Sequence, residues 1–311
     1  AVLPHAWKGL KEGDPECVVV ACGEDGLPTL LQQLEAHFKL GTLQFMDVLS
    51  LHPYGGFDAQ FRPLLDRLRQ SMAKHNRGKL LPVWGTEAGA RGLDTLYYDG
   101  IDFETMYYPN FVTELDQAEQ MVRQNLIAFG EGMERNATFY LYSGTAGMDC
   151  FSFVDGCNGI RPKTLFPAFA NLVERLSGAE PVRRFEQPEN GSCGYLFRKD
   201  GKLFAALWNF DPHHKTHPVE LPLRPEQLKV FNLVGEPVRP AGRDKCMLEL
   251  TGGALYFYPQ GITDRQFIRA LDGMTVRNLA ASLSLLDGGT LGVTLANDEG
   301  SEATGVIRAG K

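Results

Sequence analysis

Apolar residues along the first 178 positions alternate between two rhythms. Short, almost wholly apolar runs, Cys17–Cys22, Phe45–Leu51, Leu80–Thr86 and Thr138–Tyr142, read as buried strands. Between them lie stretches whose apolar residues recur three and four apart. The clearest is Asp58–Asn76, where Phe61, Leu64, Leu65, Leu68 and Met72 fall on one helical stripe. Leu27–Leu40, Leu115–Gly130 (Ala118, Val122, Leu126 and Phe129 inward) and Thr164–Leu176 read the same way, the last ending at Gly178. A helix end at His5–Glu12, broken by Asp14-Pro15, precedes them.

Strand and helix in alternation predict parallel strands joined by right-handed crossovers, with both sheet faces covered. The expected class is therefore α/β. This rhythm alone fits either a (β/α) barrel or an open, doubly wound sheet. From about Glu180 the pattern changes to short strands between Gly and Pro turns. Gly194–Trp208 reads as a hairpin around Asp200-Gly201, and strands follow at Leu228–Leu233, Cys246–Leu250 and Leu255–Tyr258. Three segments are expected: an α/β unit over 1–178, an antiparallel β-domain over 179–262, and a β-hairpin tail over 263–311 with strands in Thr275–Leu286 and Leu291–Leu295.

Composition narrows the partners. A formal net charge of −7 over 311 residues argues against nucleic acid or an anionic membrane surface, and no apolar run reaches the length of a membrane span. The six cysteines form no Cys-x-x-Cys pair. Cys150 and Cys157 flank a loop that a bridge could close, although free buried cysteine is the commoner reading. His213, His214 and His217 fall in a turn of the β-domain, where a solvated turn is a commoner outcome than a metal site. No metal or cofactor is expected, for the chain holds no zinc spacing and no phosphate loop.

The chemistry concentrates at two strand ends. Leu80-Leu-Pro-Val-Trp-Gly-Thr-Glu-Ala-Gly89 carries a carboxylate, Glu87, to the rim of the sheet just before a glycine. Phe45–Tyr54 ends in His52 and Tyr54, which share one side of the strand by alternation. In parallel barrels the catalytic groups gather at such C-terminal strand ends. By the same alternation Trp84 is expected to face the helices and pack as core. The plain alternative for Glu87 is a loop acid paired with Arg91. The loop from Gly92 to Asn110 holds Tyr97, Tyr98, Tyr107 and Tyr108, aromatics suited to the apolar faces of a sugar or simply to packing the loop.

The ordered set Asp47-Val-Leu-Ser-Leu-His-Pro-Tyr54, an amphipathic helix, then Pro82-Val-Trp-Gly-Thr-Glu-Ala-Gly89 resembles strands six and seven of clan A glycoside hydrolases, family 39-like and family 5-like members above all. The likeness extends over about residues 1–262, with Phe139-Tyr-Leu-Tyr142 similar to strand eight. It implies a partial (β/α)8 TIM barrel, strands five to eight, followed by an antiparallel β-sandwich. It implies a retaining hydrolase acting on a β-linked oligo- or polysaccharide, with Glu87 as nucleophile. His52, Tyr54, Tyr97, Tyr98 and Tyr142 are the candidate substrate-binding residues.

Two departures accompany the resemblance. Leu141 stands where strand eight of the family usually carries a tryptophan. The family's acid/base glutamate follows an asparagine at the end of strand four, and no Asn-Glu pair occurs in this sequence. The chain is therefore expected to lack the first four barrel strands, to be inactive alone, and to self-associate through exposed sheet edges. Two other readings follow the same residues: a non-catalytic carbohydrate-binding protein derived from a glycosidase barrel, and a four-strand open α/β enzyme with helices on both faces.

Overall fold

A computed structural model describes residues 2–25, 27–54, 57–90, 113–139, 141–142, 151–155, 160–187, 192–209, 216–276, 279–286 and 290–297. Helix α1 (Val2–Gly13) leads into β1 (Val20–Asp25), α2 (Leu27–Lys39), β2 (Val48–His52), α3 (Phe57–His75), β3 (Val83–Ala88), α4 (Glu114–Gly130) and β4 (Arg135–Thr138). The two-residue strands β5 (Val154–Asp155) and β6 (Arg161–Pro162) pair with each other, and α5 (Leu165–Leu176) closes this part of the chain. Helix α4 starts on a full capping box, Thr113 accepting from the Asp116 amide while Asp116 accepts from that of Thr113.

Strands β1 to β4 form one parallel sheet in the order β1-β2-β3-β4. A doubly wound sheet reverses its strand order and carries helices on both faces. Here the order is sequential. Leu49, Leu51 and Val83 on one face share a core with Leu30 and Leu34 of α2, Leu65 and Leu68 of α3, and Val122 and Leu126 of α4. The other face carries the register row Cys22–Ser50–Trp84–Arg135, which no helix covers among the described residues. Among the described residues the helices therefore lie on one face of the sheet, unlike an open, two-faced sheet. Two strands sit about three residues away from their apolar runs. Strand β1 pairs from Val20 rather than Cys17. Strand β4 is the polar Arg135–Thr138 rather than Thr138–Tyr142, because an edge strand leaves its residues partly exposed and gives little apolar signal.

The chain then becomes antiparallel: β7 (Ala179–Gln187), β8 (Ser192–Lys199), β9 (Lys202–Asn209), β10 (His217–Leu221), β11 (Leu228–Phe231), β12 (Pro237–Val238), β13 (Cys246–Leu250) and β14 (Leu255–Pro259). The β8–β9 hairpin turns on Asp200 and Gly201, both with positive φ, as a two-residue turn requires. Helix α6 (Asp264–Asp272) and β15 (Thr275–Val276) follow, then the paired strands β16 (Leu279–Leu286) and β17 (Thr290–Asn297). One sheet runs β12-β11-β14-β9-β8-β7 and a second β13-β10-β15.

Between these sheets lies a core of Leu196, Leu203, Ala205, Leu207, Val219, Leu221, Val230, Leu248 and Phe257. The other face of the six-stranded sheet (Tyr195, Phe197, Phe204, Trp208, Tyr256) joins the core of the α/β part. Two sequence expectations change here. His217 opens a strand rather than lying in a turn. Residues after 262 are not only hairpin: α6 inserts Phe267, Ala270 and Leu271 into the core between the sheets, and Thr275–Val276 pairs with β10.

Ionic contacts bind the two parts. Glu131, at the end of α4, accepts from Arg184 Nε at 2.7 Å and from the Tyr195 hydroxyl at 2.6 Å. Arg62 of α3 is buried, pairs with Glu186 of β7 and lies over the Tyr195 ring at 5.2 Å. Gly130 packs directly on the Tyr195 ring, where a Cβ would come within 2.3 Å of Cδ1.

Candidate active site

The site lies where β2 and β3 end. Ser50, His52 and Thr86 share the face away from the helices. The Ser50 and Thr86 hydroxyls hydrogen-bond each other, and His52 Nε2 lies 3.1 Å from Thr86 Oγ1. Beyond Thr86 the β3–β4 ladder slips. Gly85 opposes Asn136, but the next pair is Ala88 with Thr138, so three steps on β3 match two on β4. Asn136 faces α4, donating to Asn125 at 2.9 Å, and Ala88 is fully buried. The extra residue of this bulge leaves Thr86 and Glu87 together on the open side. In a regular strand Glu87 would share the parity of Val83 and point into the helix layer. The carboxylate instead accepts a hydrogen bond from the Tyr54 hydroxyl.

Tyr54 is held from several directions. Its amide donates to His52 O at 2.9 Å, making a tight turn after β2. Its ring meets Phe151 edge-on at 6.0 Å, and Phe151 meets Phe139 at 5.9 Å. Gly89 fits between them: a Cβ there would lie 3.0 Å from Phe151 Cδ1 and 3.1 Å from both Tyr54 Cε1 and Phe139 O. Two glutamines of α4, 0% and 1% exposed, fix the loops behind the pair. Gln124 donates to Pro53 O at 3.3 Å, and Gln117 to Ala90 O at 3.1 Å. One helix thus anchors both segments that carry the hydroxyl and the carboxylate.

Of the residues singled out from sequence, His52, Tyr54 and Glu87 meet at this rim. Tyr142 does not join their hydrogen bonds among the described residues; it makes an isolated parallel bridge to Val154 and is 53% exposed, beside an exposed Leu141. Tyr97, Tyr98, Arg91, His213, His214, Cys150 and Cys157 lie outside the described residues. Trp84 corrects the parity expectation. It faces away from the helices, in register with Ser50, because the sheet's apolar row is the odd-numbered one here (Leu49, Leu51, Val83). Its indole donates to Glu134 at 3.1 Å and lies under the Arg135 guanidinium at 4.2 Å. Ser50 and Thr86 were not singled out, although their parity with His52 was readable on the two strands. Among the described residues no cluster of three or more His, Cys, Asp or Glu could hold a metal ion, and no helix is long and apolar enough to cross a membrane.

No family model matches the chain, and no curated protein matches it. Solved structures do. A family 39 glycoside hydrolase from the gut symbiont Bacteroides cellulosilyticus superposes with a TM-score of 0.61 at 16% identity, over 83% of this chain and 54% of that one. A family 30 endoxylanase from Clostridium papyrosolvens gives 0.49 at 12% identity, over 83% and 61%. A family 30 xylanase C catalytic domain from Talaromyces cellulolyticus gives 0.49 at 13%, over 83% and 55%. The chain thus spans about half of the family 39 protein, with which it shares its fold.

Proposed function

We propose that this chain carries the nucleophile's side of a retaining glycoside hydrolase site, acting on a β-linked oligo- or polysaccharide. In this reading β1 to β4 are strands five to eight of a (β/α)8 barrel, and the two antiparallel sheets are the β-sandwich that follows it. The sequential strand order, the helices on one face and the family 39 fold likeness support it. The observation that carries it is the Tyr54–Glu87 hydrogen bond at the strand ends, beside the His52–Thr86–Ser50 row.

The carboxylate of Glu87 attacks the anomeric carbon and forms an ester bond as the bond to the leaving oxygen breaks. That oxygen departs with the electron pair and takes a proton from a partner acid. Water then cleaves the glycosyl ester and regenerates Glu87. The Tyr54 hydroxyl, by donating to the carboxylate, orients it for attack. His52 and the loop tyrosines Tyr97 and Tyr98 contact the sugar, with Tyr142 at the cleft margin. No residue of this sequence matches the family's acid/base motif, so the partner acid is left unassigned.

The test bypasses that acid. A 2-deoxy-2-fluoroglycosyl donor with a dinitrophenolate leaving group needs no protonation to depart. Mass spectrometry of the digested protein should find the fluorosugar ester on Glu87, and Glu87→Gln should abolish it. A panel of such donors that leaves Glu87 unmodified overturns the proposal.

A further inference from the structure

A second concave surface lies far along the chain from Glu87. It is a groove of about 610 Å³ between the last turn of α5 and the β11, β14 and β9 strands, with Arg175, Lys202, Lys229, Phe231, Tyr258 and Asp264 in its lining. Its volume falls in the range of small-molecule sites. Its charge runs against that of the chain, which is −7 overall. Three cations line it, and none of the three makes an ion pair among the described residues. Asp264, the acid in the lining, is already engaged by Arg198 at 2.9 Å.

Arg175 is the centre of the groove. Its guanidinium lies 4.6 Å from the Phe231 and Tyr256 ring centroids and 5.3 Å from that of Tyr258. Nε donates to Asn171 Oδ1 at 2.9 Å and Nη1 to the Tyr258 hydroxyl at 2.8 Å. A half-buried arginine ordinarily finds a carboxylate. Here aromatic faces and neutral oxygens hold it instead, so the plane is fixed while, among the described residues, the charge stays uncompensated and Nη2 keeps its donors. Such an arginine is a preorganised receptor for a planar anion. Lys202 and Lys229 are exposed and add charge at the rim. The carbonyl end of α5 would oppose an anion, but Lys199 donates to Glu174 O and the Ser177 amide to Val173 O.

We propose that this groove binds an anionic saccharide, a sugar bearing a carboxylate, which Arg175 hydrogen-bonds and Lys202 and Lys229 attract. The sugar as carrier of the charge rests on the hydrolase reading above, whereas the anion site does not. It would hold an acidic polysaccharide chain on residues other than those of the catalytic rim.

Calorimetric titration with trigalacturonate tests it, beside the same trisaccharide with its carboxyls reduced to alcohols and beside inorganic sulfate. The acidic trisaccharide should bind at least about tenfold more tightly than its reduced form and than sulfate, and weaken as salt rises. The double variant Lys202→Glu, Lys229→Glu changes only exposed side chains and should lose about tenfold or more, whereas Glu87→Gln should bind as the parent does. Equal binding of acidic and reduced sugars, or binding indifferent to the lysine reversals, overturns the proposal. Sulfate binding as tight as the trisaccharide overturns the sugar as ligand. Loss of binding in Glu87→Gln would move the ligand to the rim and overturn the separate site. Because the readout is binding, failure here is distinct from failure of Glu87 to be glycosylated.

Discussion

The hydroxyl of Tyr54 donates to the carboxylate of Glu87 across 33 residues of chain, from the turn after β2 to the bulge at the end of β3. A hydrogen bond to a charged group contributes about 1.5–3 kcal/mol net. Tyr54→Phe keeps the ring against Phe151 and removes that donor. The rate of Glu87 glycosylation by a dinitrophenyl fluoroglycoside should fall roughly ten- to a hundredfold, with the melting temperature little changed. An unchanged labelling rate would reduce the hydroxyl to a packing feature.

Gly89 holds the geometry of that pair. A methyl group there meets Phe151 Cδ1 at 3.0 Å, and Tyr54 Cε1 and Phe139 O at 3.1 Å. The backbone oxygen belongs to the residue after β4 and yields little, so the Tyr54 ring is the part that shifts. Gly89→Ala should destabilise the protein by about 1–3 kcal/mol through overpacking. It should slow glycosylation of Glu87 as well. Thermal melts and labelling rates read the two effects separately. A variant that melts like the parent and labels at its rate would show that the contact is slack.

The helices with strong stripes, the Asp200-Gly201 turn and the carboxylate at a strand end were all legible in the sequence, because each rests on local spacing. What failed to show depended on neighbours. Strand β4 is polar, and only its pairing with β3 reveals it. Strand β7 (Ala-Glu-Pro-Val-Arg-Arg-Phe-Glu-Gln) is stabilised by its ladder and by Arg184–Glu131 and Arg62–Glu186, none of which is local. Helix α6 hides an inward stripe of Phe267, Ala270 and Leu271 among charged residues. Parity counted from Glu87 puts Trp84 on the helix face, and the bulge between Gly85 and Ala88 breaks that count.

Glu131 gives the joint between the two parts a pH dependence. Burial pushes its carboxyl up, but the Arg184 and Tyr195 hydrogen bonds and the nearby arginines outweigh this and leave it below its ordinary value of 4.5. A carboxyl depressed in the folded state contributes fully above the unfolded value and loses that contribution as pH falls through the folded one. The parent should therefore lose stability below about pH 4.5, and Glu131→Gln should lose less over the same range. At pH 7 the variant should be weaker by about 1–3 kcal/mol, since Arg184, a third exposed, loses its nearer carboxylate and keeps only Asp66 at 3.7 Å. Melting curves at pH 7 and at successive steps below pH 4.5 check both signs. Parallel acid profiles for parent and variant would contradict the assignment.

Strands β1 and β4 are the outer strands of the sheet, and neither pairs with a further strand of it among the described residues. Beside β1, Val18 is 58% exposed and Val20 37%, whereas beyond β4 Leu141 O already accepts from the Phe153 and Val154 amides and Tyr142 bridges Val154. Unpaired backbone donors and acceptors flanked by apolar side chains are a template for pairing with another chain. The 311-residue chain should therefore self-associate, with a sedimentation coefficient that rises with concentration. Val18→Lys with Val20→Lys should shift it towards monomer, because a charge on an edge strand is hard to bury against a second copy. Strand β4 would still be an outer strand, so the shift should be partial. A parent that sediments as a monomer at every concentration would mean that twist or bulging at Cys22 and Gly23, where φ reaches 80° and 97°, already blocks the β1 edge.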